Sequence, residues 1–120
     1  MVFVNAASED QALSIANALV TERLAACANI VSPIRSVYRW EGAVHDETEH
    51  LMIIKTRASL LTKVEARVKA LHSYEVPEII ALPIVGGSVT YLDWVFDSTG
   101  AEPRPSRKAP RTSASRKPKK

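Results

Sequence analysis

The chain has a single cysteine, Cys27, so no disulfide can form within it. Oxidative stapling is excluded as a source of stability, and a reducing compartment, the cytoplasm, is the expected setting. Glycine is scarce, 4 in 120 residues, and none lies in a G-x-x-x-x-G-K-[ST] or G-x-G-x-x-G loop. The usual phosphate-cradling turns of nucleotide folds are therefore excluded. No G-x-S-x-G elbow is present, so a hydrolase of that type is excluded. No C-x-x-C or H-x-x-x-H pair exists, so no structural zinc site is encoded locally. No apolar run is long enough to cross a bilayer. Met1–Asn5 carries no basic n-region, so neither a membrane segment nor a signal peptide is expected.

What is present is enough for one packed domain. Hydrophobic residues make up 46% of the sequence, an ordinary globular share. The net charge of +3 hides an asymmetry: residues 1–100 hold eight Lys/Arg against twelve Asp/Glu, and residues 101–120 hold eight against one. The fold is thus acidic at −4 and the tail basic at +7, and an overall basic pI says nothing about the fold. Two regions follow, a domain over 1–100 and a tail over 101–120. The tail is rich in Pro, Ser, Lys and Arg without apolar periodicity, which predicts disorder and only non-specific contact with polyanions.

Hydrophobic spacing gives the elements. Val2-Phe3-Val4 reads as a buried strand. Ser8 and Gln11 have capping-box spacing, and Ala12, Ile15, Ala16, Leu19 and Val20 form one helical stripe. From Ala25 to Glu41 the pattern alternates, with Ile34, Tyr38 and Trp40 on one face and Pro33 marking an edge, bend or bulge. Glu41-Gly42-Ala43 is a turn, and Leu51–Thr56 returns as a strand. A second helix follows Ser59 with Leu61, Val64, Val68 and Leu71 inward. Glu78–Val85 is a further strand, interrupted by Pro83. Ser88 caps a last helix carrying Tyr91, Leu92, Trp94 and Val95. The order βαββαβ plus a C-terminal helix is a ferredoxin-like α+β sandwich, helices on one face of an antiparallel sheet. The other sheet face is also apolar, which predicts cover by further copies of the chain.

Several segments together resemble the CutA, or divalent-cation tolerance, family. They are Glu22-Arg23-Leu24-Ala25-Ala26-Cys27-Ala28-Asn29-Ile30, Ile34–Gly42, Ile53-Ile54-Lys55-Thr56, His72–Ile79 and Tyr91-Leu92-Asp93-Trp94. They come in the family's order and span about residues 1–97. The resemblance implies a tightly interlocked homotrimer, a role linked to divalent cations and copper in particular, and no enzymatic activity. It also implies kinship of assembly with PII signalling proteins, which bind small effectors between subunits. The alternative function is therefore a PII-like module that takes a small anionic ligand at subunit interfaces and signals to an unidentified protein partner. Asn5 and Leu71 stand where some family members have Cys and His.

The residues that bear chemistry each have two readings. His72 lies three residues before Glu75 and six before Glu78. It is either a ligand, with those carboxylates, for copper or zinc, or a cap on the last helical carbonyls. Cys27 is either a small buried hydrophobe or a thiolate ligand for copper. His45 and His50, five apart on a strand, face opposite ways and read as exposed. Tyr38, Trp40 and Tyr74 either pack or wall a ligand cleft. In the second case Lys55 offers that cleft a cation, paired with Glu41, Glu75 or Glu78. A lower-ranked third function is an enzyme with His72 and Glu75 as acid and base.

Overall fold

A computed structural model describes residues 1–101; the predicted tail, Ala101 apart, lies outside the described residues. The first strand, β1, spans Val2–Ala6, and alternate residues Val2, Val4 and Ala6 are buried. Helix α1 spans Glu9–Thr21, and Ser8 caps it by accepting from the Gln11 amide at 3.1 Å. The Gln11 side chain is taken elsewhere, accepting from Ser73 at 3.2 Å. Ala12, Ile15, Ala16 and Leu19 form the buried stripe as expected, but Val20 is 41% exposed. Eight residues past Ala12 is about 80° off the stripe at 3.6 residues per turn.

Strand β2 runs Cys27–Trp40 and β3 runs Ala43–Lys55, forming one long antiparallel hairpin. The register breaks at a bulge between Val31 and Ile34, which contains Pro33. The returning strand begins at Ala43 rather than at the predicted Leu51. Its polar first half is held by cross-strand contacts such as Arg35–Asp46 at 2.9 Å and Tyr38–Glu47 at 2.7 Å. A connection that looked like a loop for its polarity is therefore a solvent-facing strand.

A 3₁₀ turn, Ala58–Leu60, leads into helix α2, Leu61–Leu71. Ser59 lies inside that turn and caps nothing; Leu60 takes the cap position without a side-chain bond. Val64 and Val68 are fully buried, and Leu61 and Leu71 pack beside them. Strand β4 is only Ile79–Ala81, not the predicted Glu78–Val85. Two more bonds continue the ladder: the Leu82 amide donates to the Met1 carbonyl at 2.8 Å, and the Met1 amino group donates to the Leu82 carbonyl at 3.0 Å. Pro83, lacking an N–H, cannot extend it. Helix α3 spans Val89–Asp97, capped by Ser88 at 3.4 Å, with Val95 its buried residue.

The sheet order is β2-β3-β1-β4, all antiparallel, which is the ferredoxin-like arrangement. Val4, Ile15, Leu19, Met52, Ile54 and Val64 form the core between the sheet and α1 and α2. Arg57 and Arg23 fasten the end of α3. Arg57 donates to Thr99 Oγ1 at 2.9 Å and sits 3.7 Å from the Phe96 ring. Arg23 donates to the carbonyls of Asp97, Gly100 and Ala101. These arginines satisfy carbonyls left open at a helix end. No described helix is long and apolar enough to cross a membrane.

Candidate functional site

The hairpin outruns its neighbours. β1 pairs with β3 only from His50 to Ile54, so residues 34–49 project beyond the sheet. The loop from His72 to Glu78 rises beside that projection. Between them opens a cleft of about 600 Å³ lined by Asn5, Tyr38, Trp40, Glu49, Tyr74, Glu75 and Glu78, among others.

The cleft's polar groups are connected. Glu49 is 5% exposed and accepts from Tyr74 Oη at 2.7 Å and from Asn5 Nδ2 at 3.3 Å. The same Asn5 nitrogen donates to Glu78 Oε1 at 2.9 Å. Two carboxylates thus converge on one amide. Asn5 Oδ1 is buried with no partner among the described residues. Burial, and then the charge of Glu49, raises the Glu78 carboxyl above its ordinary value. Burial and the bond to Glu49 push the Tyr74 phenol well up. Donation to Glu47 lifts Tyr38 to about 12. Tyr38 also stacks on His45, with ring centroids 5.3 Å apart. Among the described residues, no lysine or arginine lines the cleft.

Of the residues singled out in the sequence, Tyr38, Trp40, Tyr74, Glu75 and Glu78 meet here. Lys55 does not. It lies six residues beyond Glu49 on β3, about 20 Å at strand rise. Its partner is the Asn29 side-chain oxygen, not Glu41, Glu75 or Glu78. Cys27, the register partner of Lys55, shares that end of the sheet, its Sγ 3.7 Å from the same Asn29 oxygen. Tyr91 of α3 stands against it, its phenol raised by burial first and then by Cys27.

His72 is buried, and its ring is fully occupied. The Tyr74 amide donates to Nδ1 at 3.0 Å. Nε2 therefore carries the proton and donates to the Asn5 carbonyl at 2.6 Å. The ring caps no helical carbonyl, and neither nitrogen keeps a lone pair for a metal. Nor does the chain join it to Cys27. Asn5 pairs with Leu51 and Cys27 with Lys55, four residues along β3. His45 and His50 do face opposite ways, but both are half-buried, and His50 Nδ1 lies 2.7 Å from Ser32 Oγ.

Asn5 and Glu49 were not picked out as site residues. The signal for Asn5 was a lone polar residue inside an apolar strand, on the face away from the helices. Glu49 gave none, since its burial arises only when the 72–78 loop closes over it.

The family described as CutA1 divalent ion tolerance protein matches residues 1–98. The chain belongs to the CutA1 divalent ion tolerance family. "Divalent-cation tolerance protein CutA" of Thermus thermophilus is 51% identical over 100 residues, covering 83% of this chain and 97% of that protein. "Protein CutA, chloroplastic" of Arabidopsis thaliana is 52% identical over 99 residues, and there the chain spans 54% of the relative's length. The solved Thermus thermophilus structure superposes with a TM-score of 0.81 at 52% identity, covering 82% of this chain and 96% of that one.

Membership in the CutA family implies involvement with a divalent metal. Among the described residues no three His, Cys, Asp or Glu side chains are gathered as ligands. The set Cys27, His72 and Glu75 is not assembled, for the reasons above. The cleft fits a cation better. It holds the carboxylates of Glu49 and Glu78 and a buried Asn5 oxygen that lacks a donor. These are hard oxygen donors, suited to magnesium or manganese and acceptable to zinc.

Proposed function

We propose that this CutA-family chain is a non-catalytic, homotrimeric protein that binds a divalent cation in the cleft between the hairpin and the 72–78 loop. One observation carries the reading: Glu49 and Glu78 converge on Asn5, whose own oxygen is left bare. A cation there would give that oxygen a partner and relieve the repulsion between the two carboxylates. The donors favour manganese, magnesium or zinc over copper, because no sulfur or free imidazole faces the cleft. An anionic ligand is disfavoured, since the one cation expected to receive it, Lys55, lies at the far end of β3. The trimer is supported by the apolar sheet face that the helices leave uncovered.

Calorimetric titration of the metal-free full chain with Mn²⁺, Zn²⁺ and Cu²⁺ tests this. Glu78→Gln and Glu49→Gln keep the shape and remove the charge. Each is expected to weaken Mn²⁺ and Zn²⁺ binding by about tenfold or more, with the fold and assembly intact. Undiminished binding in the double variant would place the cation elsewhere.

A further inference from the structure

The acids of the cleft have no countercharge from their own described chain. Glu49, Glu75 and Glu78 line it, and none of them pairs with a described lysine or arginine. Glu49 is buried on Tyr74 and Asn5, whereas Glu75 and Glu78 are exposed. The cleft opens beside the projecting hairpin, the part of the molecule that the assembly read above covers with a neighbouring copy. Shutting water away from carboxylates is costly unless a cation meets them.

Of the eight lysines and arginines among the described residues, six are engaged within the chain: Arg23, Arg35, Lys55, Arg57, Arg67 and Lys69. Arg39 and Lys63 make no such bond. Lys63 belongs to α2, on the helix side of the sheet. Arg39 is exposed on β2, next to Trp40 at the hairpin turn. It cannot serve its own cleft. Tyr38 and Trp40, with their register partners His45 and Ala43, share one face of the hairpin and wall the cleft. Arg39 and its partner Val44 stand on the opposite face, and neither lines the cleft. Val44 is 64% exposed, so apolar surface flanks the guanidinium.

The hairpin therefore carries two unlike surfaces back to back. A head-to-tail ring joins two different surfaces of the same chain at every contact. Here one is acidic and aromatic and the other cationic and apolar. A guanidinium pairs with carboxylates and lies on aromatic rings, so the back of one hairpin complements the front of the next. We propose that Arg39 of one copy enters the cleft of the next and pairs there with Glu75 and Glu78, each cleft being completed by a neighbour's guanidinium. This rests on the homotrimer reading given above. It is compatible in charge with the cation reading, since three carboxylates offset one divalent cation and one guanidinium.

Carbodiimide joins an amine directly to a carboxylate it touches. The full-length Arg39→Lys variant, metal-free and treated at low salt, is expected to give chain–chain products on a denaturing gel. Peptide mapping should place the link from position 39 on Glu75 or Glu78. With ¹⁵N-labelled and unlabelled chains refolded together, those linked peptides should include hybrids. Links from position 39 that stay within one chain, or that fall on Glu9, Asp10 or Glu65 of the helices, would overturn the proposal. Charge reversal gives a second measurement. Arg39→Glu is expected to weaken association about tenfold or more. Adding Glu75→Arg or Glu78→Arg, whichever acid carries the link, should bring it back within about threefold of the parent. No recovery would count against the pairing. Light scattering of the parent separates the two readings: single chains defeat the assembly itself, whereas three chains without the link defeat only the Arg39 contact.

Discussion

The His72 ring spans two elements, joining the Asn5 carbonyl of β1 to the Tyr74 amide in the loop. His72→Ala removes both bonds and takes a donor from a part-buried carbonyl. It is expected to lower stability by about 2–3 kcal/mol in chemical denaturation, with Mn²⁺ affinity of the folded protein unchanged. Lost binding at undiminished stability would instead put the imidazole on the metal. Glu78 makes a second test, because its carboxyl is raised from 4.5 by burial and by Glu49. A raised carboxyl pKa favours the folded state while the group is protonated. Its contribution is complete below 4.5 and is lost as pH climbs through the raised value. Glu78→Gln should therefore gain stability over the parent as pH rises from 4 to 7, and a constant difference would show that Glu78 feels no such field. Cation binding runs the other way: it needs the charged form, so affinity should fall on acidification sooner than for an ordinary carboxylate. Tyr38, Trp40, Tyr74, Glu75 and Glu78 were legible because they fall in two short polar-aromatic runs, 34–42 and 72–79, whereas Glu49 lies in neither. Lys55 misled because spacing along the chain does not say that β3 carries it about 20 Å from the hairpin's projecting half.

At the scale of elements, the helices were readable because their stripes repeat within a few residues and two of them carry a local serine cap, Ser8 and Ser88. The sheet was less so. The first half of β3 is polar on both faces, and its strand character comes from cross-strand partners far along the chain. β4 is short for a complementary reason: its apolar sequence continues, but beyond Leu82 it has no ladder to join. The hairpin's turn is the most testable local feature. Glu41 and Gly42 have φ of 50° and 82°, the two positive values of a type I′ turn. A Cβ at Gly42 would meet nothing within 4 Å, so only the backbone resists a side chain there. Gly42→Ala is expected to cost about 1–2 kcal/mol. Glu41→Asn, a residue at ease in that region, should be neutral or stabilising. Thermal melts at one fixed protein concentration compare them. A neutral Gly42→Ala would mean that the turn has another geometry in solution.

The whole molecule presents more apolar surface than one copy can cover. α1 and α2 shield one sheet face. On the other, Val31 and Ile80 are 43% and 51% exposed, and Phe3, Leu51 and Ile53 are only half-buried. The projecting hairpin adds Val37, Val44 and Trp40 at 66%, 64% and 39% exposure. Among the described residues, both β2 and β4 have an outer edge with no strand beside it. Open edges and wide apolar faces invite uncontrolled association unless a defined assembly uses them. The proposed closed ring would do so: each copy would seat its hairpin against the next, and rotation would return to the first. The family resemblance supplies the number three, which the geometry of one chain does not fix. Trp40 lies beside the hairpin turn, where it extends farthest from its own sheet. Its exposed edge should become buried on a neighbour. Trp40→Ala is then expected to weaken association by about 3–5 kcal/mol, the loss typical of a fully buried aromatic. The core within each copy stays intact, because Trp40 is not part of it. Light scattering of the parent at micromolar concentration should give three chains, and the variant should dissociate on dilution. A parent that remains monomeric would refute the ring, and with it the reason for an apolar second face.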